Sequence, residues 1–218
     1  MADFPVLDGQ LFLFQGDSIT DAGRRGGAAP LGEGYASIFT QLMTAAYPDR
    51  EVRYINKGIG GDNTVGLRNR WEDDVIRHRP DWLSILIGIN DLHTFLYQSN
   101  PCVGVDVYRE KYDSILATTR EKTRAQIVLL DPFYISLDDR GQSFRSTVLQ
   151  TIGDYIAVVD EMAAKYGTYH LKTHELFARH LQHREADYFC PEPVHPNRAG
   201  HIVIAQAMMD VLSAGQNG

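Results

Sequence analysis

The amino-acid sequence predicts an α/β protein: one parallel sheet with helices packed on both of its faces. Short apolar runs bounded by turn residues alternate with longer stretches of helical periodicity, and that alternation implies βαβ units. The clearest run, WLSILI at 82–87, is apolar apart from Ser84, as strands covered on both faces tend to be. Polar and glycine-rich segments fall directly after the strand-like runs, where open α/β sheets gather their ligands.

Each element has its own justification. The run LFLF at 11–14 lies between Gly9 and the Gly16-Asp17 pair and reads as a buried strand ending in a turn. Residues 35–47 (YASIFTQLMTAAY) repeat apolar side chains at helical spacing, with Pro48 beyond their end. VRYIN at 52–56 reads as a strand and 64–79 as a helix, capped by Asp62 or Asn63 and stopped by Pro80. The strand at 82–87 leads through a loop containing Pro101 to a helix at 106–123, and QIVLL at 126–130 is the fourth strand. Val148, Ile152, Ile156, Val159 and Ala163 mark a helix running up to Gly167. A weak strand around 169–171, a short helix to about His183 and a packing helix at 199–212 follow. The irregular stretch at 21–34, rich in Gly, Arg and Ala, is predicted to be a site loop rather than a spacer.

Bulk properties exclude several classes of function. The 218 residues (1–218) are read as a single domain, with 44% hydrophobic and 22% charged residues, an ordinary globular composition. Net charge is -7 and the basic residues are scattered, so no nucleic-acid footprint is present. No basic leader or long apolar segment argues for secretion or a membrane. Two cysteines, Cys102 and Cys190, form neither a disulfide scaffold nor a metal-binding spacing, which favours a reduced, cytoplasmic protein without metal or cofactor. His170 and His174 are four apart but straddle a strand end and a helix start, so they are expected to be surface residues rather than ligands.

The chemistry is expected in four segments: GDSIT (16–20), NKGIGGDNT (56–64) and GIND (88–91), each after a strand, and CPEPVHPN (190–197). A serine at a strand end, Ser18, can be exposed as a nucleophile but needs a base within hydrogen-bond reach. His195 is the candidate base, and Glu192 is the nearest acid that could orient its ring. The backbone N–H groups of Ser18 and Gly61 and the side-chain amide of Asn90 are the right donors for a tetrahedral oxyanion. Competing motifs fail: GxSxG would need glycine at Thr20, GxGxxG would need it at Asn63, and neither a P-loop nor HExxH occurs.

Taken in order, GDSITDAGR, NKGIGGDNTV, RWEDDVIRHRPDWLSILIGIND, DPFYI and VHPNRAGH resemble the SGNH hydrolases, also called GDSL esterases, over nearly the whole chain. Within them the chain looks most like the small intracellular acetylxylan esterases. The resemblance implies a flavodoxin-like, three-layer α/β/α sandwich around a parallel sheet of about five strands. It implies Ser18 as nucleophile, His195 as base, and Ser18, Gly61 and Asn90 as the oxyanion hole. It also implies a small acylated substrate, such as an acetylated sugar, and a homo-oligomer. The departure is at Glu192, where the family's Asp-x-x-His pattern has aspartate. Glu192, a backbone carbonyl, or another acid such as Asp187 could orient His195; a broken relay would leave a weakly active or carbohydrate-binding protein. A lysophospholipase or thioesterase is the alternative enzyme.

Overall fold

The computed structural model describes residues 4–215. Its five strands are β1 (Leu11–Gly16), β2 (Arg53–Asn56), β3 (Trp82–Leu86), β4 (Gln126–Leu130) and β5 (Tyr169–Leu171). They pair in the order β2-β1-β3-β4-β5, all parallel, the flavodoxin-like order. β1 and β3 occupy the middle and bury every residue, which is why their sequences carry no polar face. β2 lies at one edge and exposes Arg53.

The helices among the described residues are α1 (Ser18–Asp21), α2 (Tyr35–Ala46), α3 (Thr64–Asp74), α4 (Ile89–Leu96), α5 (Val105–Lys122), α6 (Phe144–Tyr166), α7 (Thr173–His180) and α8 (Arg198–Ala214). α2 packs on α8, while α3, α5, α6 and α4 form a continuous group, which gives the three-layer arrangement. Trp71 of α3 is fully buried and its indole N–H donates to Thr119 Oγ1 of α5 at 3.0 Å, locking these two helices together. No helix among the described residues is long and apolar enough to cross a membrane.

Some elements depart from the sequence reading. The helix expected over 64–79 stops at Asp74, and a 3-10 turn at Ile76–His78 ends on Arg79 at φ 48°. Pro80 bars residue 79 from right-handed helical geometry, and the break lets Val75 and Ile76 both reach the core. The segment expected to be loop between 82–87 and 106–123 contains α4, whose apolar residues Ile89 and Leu92 are buried. α6 begins before Val148 because Ser143 and Ser146 form a reciprocal capping box. His170 and His174, expected at the surface, are half-buried. His170 Nε2 lies 2.6 Å from Asp131, and His174 Nδ1 accepts from the Tyr134 N–H at 3.4 Å.

Among the acids the fold buries at the carboxyl edge of the sheet are Asp17 beyond β1 and Asp91 in the first turn of α4. Asp17 caps α1 by accepting from the Ile19 N–H at 2.9 Å. Asp91 accepts from the Thr64 N–H at 3.0 Å and from its hydroxyl at 2.5 Å, tying α4 to the start of α3. Burial pushes both carboxyls up to about 7, and their charges oppose one another.

In the folded protein Asp91 therefore keeps a proton that the unfolded chain loses near 3.8, and stability falls as pH rises from about 4 to 7. Asp91→Asn keeps an acceptor for Thr64 but cannot ionise. Its stability relative to the unaltered protein is expected to climb across that window and to stay level below it, as urea midpoints at successive pH values will show.

Candidate active site

Ser18 is the first residue of α1, delivered by the central strand β1 and turned outward by the Asp17 cap. Gly16 is required at that strand end, because a Cβ there would run into the Leu86 carbonyl of β3 and the Thr20 side chain. The partner of Ser18 comes from the far end of the chain. Asn197 caps α8, accepting from the Ala199 and Gly200 N–H groups at 2.9 and 3.2 Å, while α8 packs on α2. The loop before that cap is pinned by Asn197 N–H to Phe189 O and by Ile135 N–H to Pro193 O, both at 2.8 Å. His195 is thereby set with its Nε2 2.8 Å from Ser18 Oγ, across 177 residues of sequence.

Glu192 meets the other ring nitrogen. Its Oε1 lies 2.5 Å from His195 Nδ1 and accepts from the His195 N–H at 2.7 Å, and its Oε2 accepts from the Val194 N–H at 3.0 Å. The side chain folds back over its own loop, which takes up the extra methylene of glutamate. Partial burial opposes ionisation, but the Val194 and His195 N–H groups and the His195 ring outweigh it and hold Glu192 below the usual carboxylate range. Asp187 is exposed and its carboxylate makes no hydrogen bond among the described residues; only its carbonyl faces Asn197, at 3.5 Å. A carboxylate on Nδ1 leaves Nε2 as the acceptor for the Ser18 hydroxyl, so the trio can draw the serine proton onto the imidazole.

Each of the three expected oxyanion donors has an N–H to offer. The N–H groups of Ser18 and of Gly61, whose φ of 79° suits glycine, make no hydrogen bond among the described residues. Asn90 Nδ2 donates to the Asp62 carbonyl at 2.9 Å, which leaves its second N–H free and ties α4 to the glycine loop. A Cβ built on Gly60 would lie 3.9 Å from Ser18 Cβ, so this loop runs directly beside the serine.

One residue that the sequence reading passed over holds these parts together. The Arg70 guanidinium donates to Asp62 Oδ2 at 2.7 Å, Asp74 Oδ2 at 2.5 Å, the Lys57 carbonyl at 2.7 Å and the Gly16 carbonyl at 3.2 Å. It thus joins the strand end before Ser18 to the loop carrying Gly61. The signal was weak, since Arg70 sits in the charged run RNRWEDD that reads as a solvated helix face.

The stretch at 21–34, expected to be a site loop, is an irregular run of turns after α1, fixed by Arg24 Nε to Gly58 O at 2.6 Å and Arg25 Nε to Asp21 at 2.7 Å. A hollow of about 400 Å³ opens beside Ser18 and His195, lined also by Ala22, Glu33, Arg198 and His201. His201 is no rival base: burial drives its pKa down to about 4, and its Nδ1 is engaged by the Tyr35 N–H at 3.2 Å. A larger hollow of about 550 Å³ lies between Arg79–Asp81 and Arg120–Arg124 and contains none of these groups.

The chain matches the model of the GDSL-like lipase/acylhydrolase family over residues 14–203. It is 34% identical over 212 residues to an acetylxylan esterase of Geobacillus stearothermophilus, covering 94% of each chain. The crystal structure of Axe2, an acetylxylan esterase from that organism, superposes with a TM-score of 0.85 at 33% identity over 95% of both chains. LAE5, an α/β hydrolase enzyme from the metagenome of Lake Arreo, superposes with a TM-score of 0.85 at 27% identity, covering 95% of this chain and 96% of that one. From the strand that leads to Ser18 into the helix that follows His195, this chain belongs to the GDSL-like lipase/acylhydrolase family.

Proposed function

We propose that this carboxylic-ester hydrolase removes acetyl groups from xylo-oligosaccharides by a serine mechanism. The observation that carries the mechanism is the run of contacts from Ser18 Oγ through His195 to Glu192, at 2.8 and 2.5 Å. The likeness to acetylxylan esterases over almost the whole chain supports the substrate.

Ser18 Oγ attacks the acetyl carbonyl carbon while its proton passes to His195 Nε2. The negative oxygen of the tetrahedral intermediate is met by the Ser18 and Gly61 N–H groups and the free N–H of Asn90. Collapse breaks the bond to the sugar oxygen, which leaves with the proton from His195. Water then gives a proton to His195 as it attacks the acetyl-serine; collapse of this second tetrahedral intermediate breaks the acyl–Oγ bond, His195 returns the proton to Ser18 Oγ, and acetic acid is released. Glu192 keeps the imidazole in the required tautomer and stabilises its charged form. None of these steps calls on a cofactor. We further read the protein as a cytoplasmic homo-oligomer, which cell fractionation and sizing with mass measurement test.

Ser18→Ala is expected to lower kcat on acetylated xylo-oligosaccharides by about 10⁴-fold or more, and full retained turnover would overturn the mechanism. Glu192→Gln should cost roughly 10²- to 10⁴-fold in kcat, while Asp187→Ala stays within about twofold of the unaltered enzyme. Comparable losses in the two variants would remove Glu192 from its role. Arg70→Ala is expected to lower kcat by about tenfold or more with little change in KM, because the oxyanion donors lose their support rather than the substrate its contacts. Faster hydrolysis of octanoyl than acetyl esters would refute the short-acyl assignment.

A further inference from the structure

The helix that presents Asn90 also carries His93 and is capped at its C-terminal end by Tyr97, the three lying at the i, i+3, i+7 positions of a single stripe. Around this stripe the structure gathers rings. His93 lies 6.2 Å from Tyr134, 5.6 Å from Phe144 and 6.1 Å from Tyr97, centroid to centroid. Tyr97 and Phe144 stack at 4.7 Å with their planes only 15° apart. The inner end of the cluster borders the loop that carries Glu192 and His195: Tyr134 directly precedes Ile135, whose N–H donates to the Pro193 carbonyl at 2.8 Å, and Glu192 acts electrostatically on both His93 and Tyr134. The outer end is open, with Tyr97 63% and Phe144 38% exposed.

An exposed, stacked aromatic pair at the far end of the helix that presents Asn90 calls for an occupant. Burial holds His93 toward its neutral form, so the ledge offers ring faces rather than charge. At about 200 Å² for a whole aromatic residue, the open parts of Tyr97 and Phe144 amount to roughly 200 Å². A stable protein interface needs about 800 Å² from each partner, so a second copy is poorly served by this patch alone. One face of a pyranose ring, with its row of C–H bonds, fits such a ledge. From Asn90 to Tyr97 the helix advances about 10 Å at its normal rise. That reach lies beyond the acetylated sugar itself.

We propose that Tyr97 and Phe144 form a sugar-stacking subsite that binds a neighbouring, unreacted pyranose unit of the oligosaccharide whose acetyl group meets Ser18. This inference rests on the carbohydrate-ester reading above, and it locates preference for oligosaccharide in the ledge rather than at the serine.

The test compares kcat/KM for acetylated xylo-oligosaccharide, acetylated xylose and p-nitrophenyl acetate in the unaltered enzyme, Tyr97→Ala, Phe144→Ala and Tyr97→Trp. Either alanine substitution should lower the ratio of oligosaccharide to acetylated xylose about three- to tenfold, and Tyr97→Trp should preserve it. Ratios that stay constant, including parallel losses on all three esters, overturn the subsite. A change in oligomeric state with constant ratios overturns it in favour of self-association. If the unaltered enzyme cleaves p-nitrophenyl acetate but neither acetylated sugar, the carbohydrate reading falls and the subsite with it. If it cleaves both sugars and the ratios do not move, the subsite alone falls.

Discussion

Everything in this molecule follows from five strands that run the same way. Parallel strands need helical crossovers, and right-handed crossovers put every strand-to-helix turn on one edge of the sheet. With β1 and β3 adjacent at the centre and β2 beside β1, the turns carrying Ser18, Gly61 and Asn90 must converge. The exit of β4 completes the group, because Ile135 binds the Pro193 carbonyl and so steadies the loop that carries His195. Residues far apart in sequence become neighbours because the sheet allows their turns no other place.

Convergence alone does not make the turns rigid. Strand ends leave carbonyls without ladder partners, and here the Arg70 fork takes those of Gly16 and Lys57 together with two carboxylates. Asn56 works alongside it, donating to the carbonyls of Thr20 and Leu31 at 2.6 and 2.8 Å and accepting from the Gly58 N–H at 2.9 Å. The buried acids below, Asp17 and Asp91, would oppose a developing oxyanion if both were charged. The burial that raises them to about 7 limits that opposition.

The sheet was legible in the sequence because LFLF, WLSILI and QIVLL are apolar on both faces and bounded by Gly, Asp or Pro. The segments of the candidate site were legible because each polar group directly follows one of those runs. The short helices were not. α1 is a single turn set by the Asp17 cap, and α4 interleaves Asn90, Asp91, His93 and Thr94 with Ile89, Leu92, Phe95 and Leu96, but its eight residues are too short for the period to register. Arg70 escaped because its partners are mostly backbone carbonyls and acids whose proximity only the folded chain creates. The path of Glu192 also lay beyond sequence reasoning: whether its longer side chain reaches Nδ1 depends on the curl of the Pro191–Pro193 loop, and the N–H groups of Val194 and His195 supply that curl's hold on the carboxylate.

Ser18 and His195 stand 177 residues apart, and the last strand ends at Leu171, before the histidine. On the ribosome, then, all five strands and the turn of Ser18 are made before His195 is. Until then Ser18 lacks the hydrogen-bond partner of its hydroxyl. On the mechanism proposed above, reactivity therefore arises late, after the whole sheet has been synthesised.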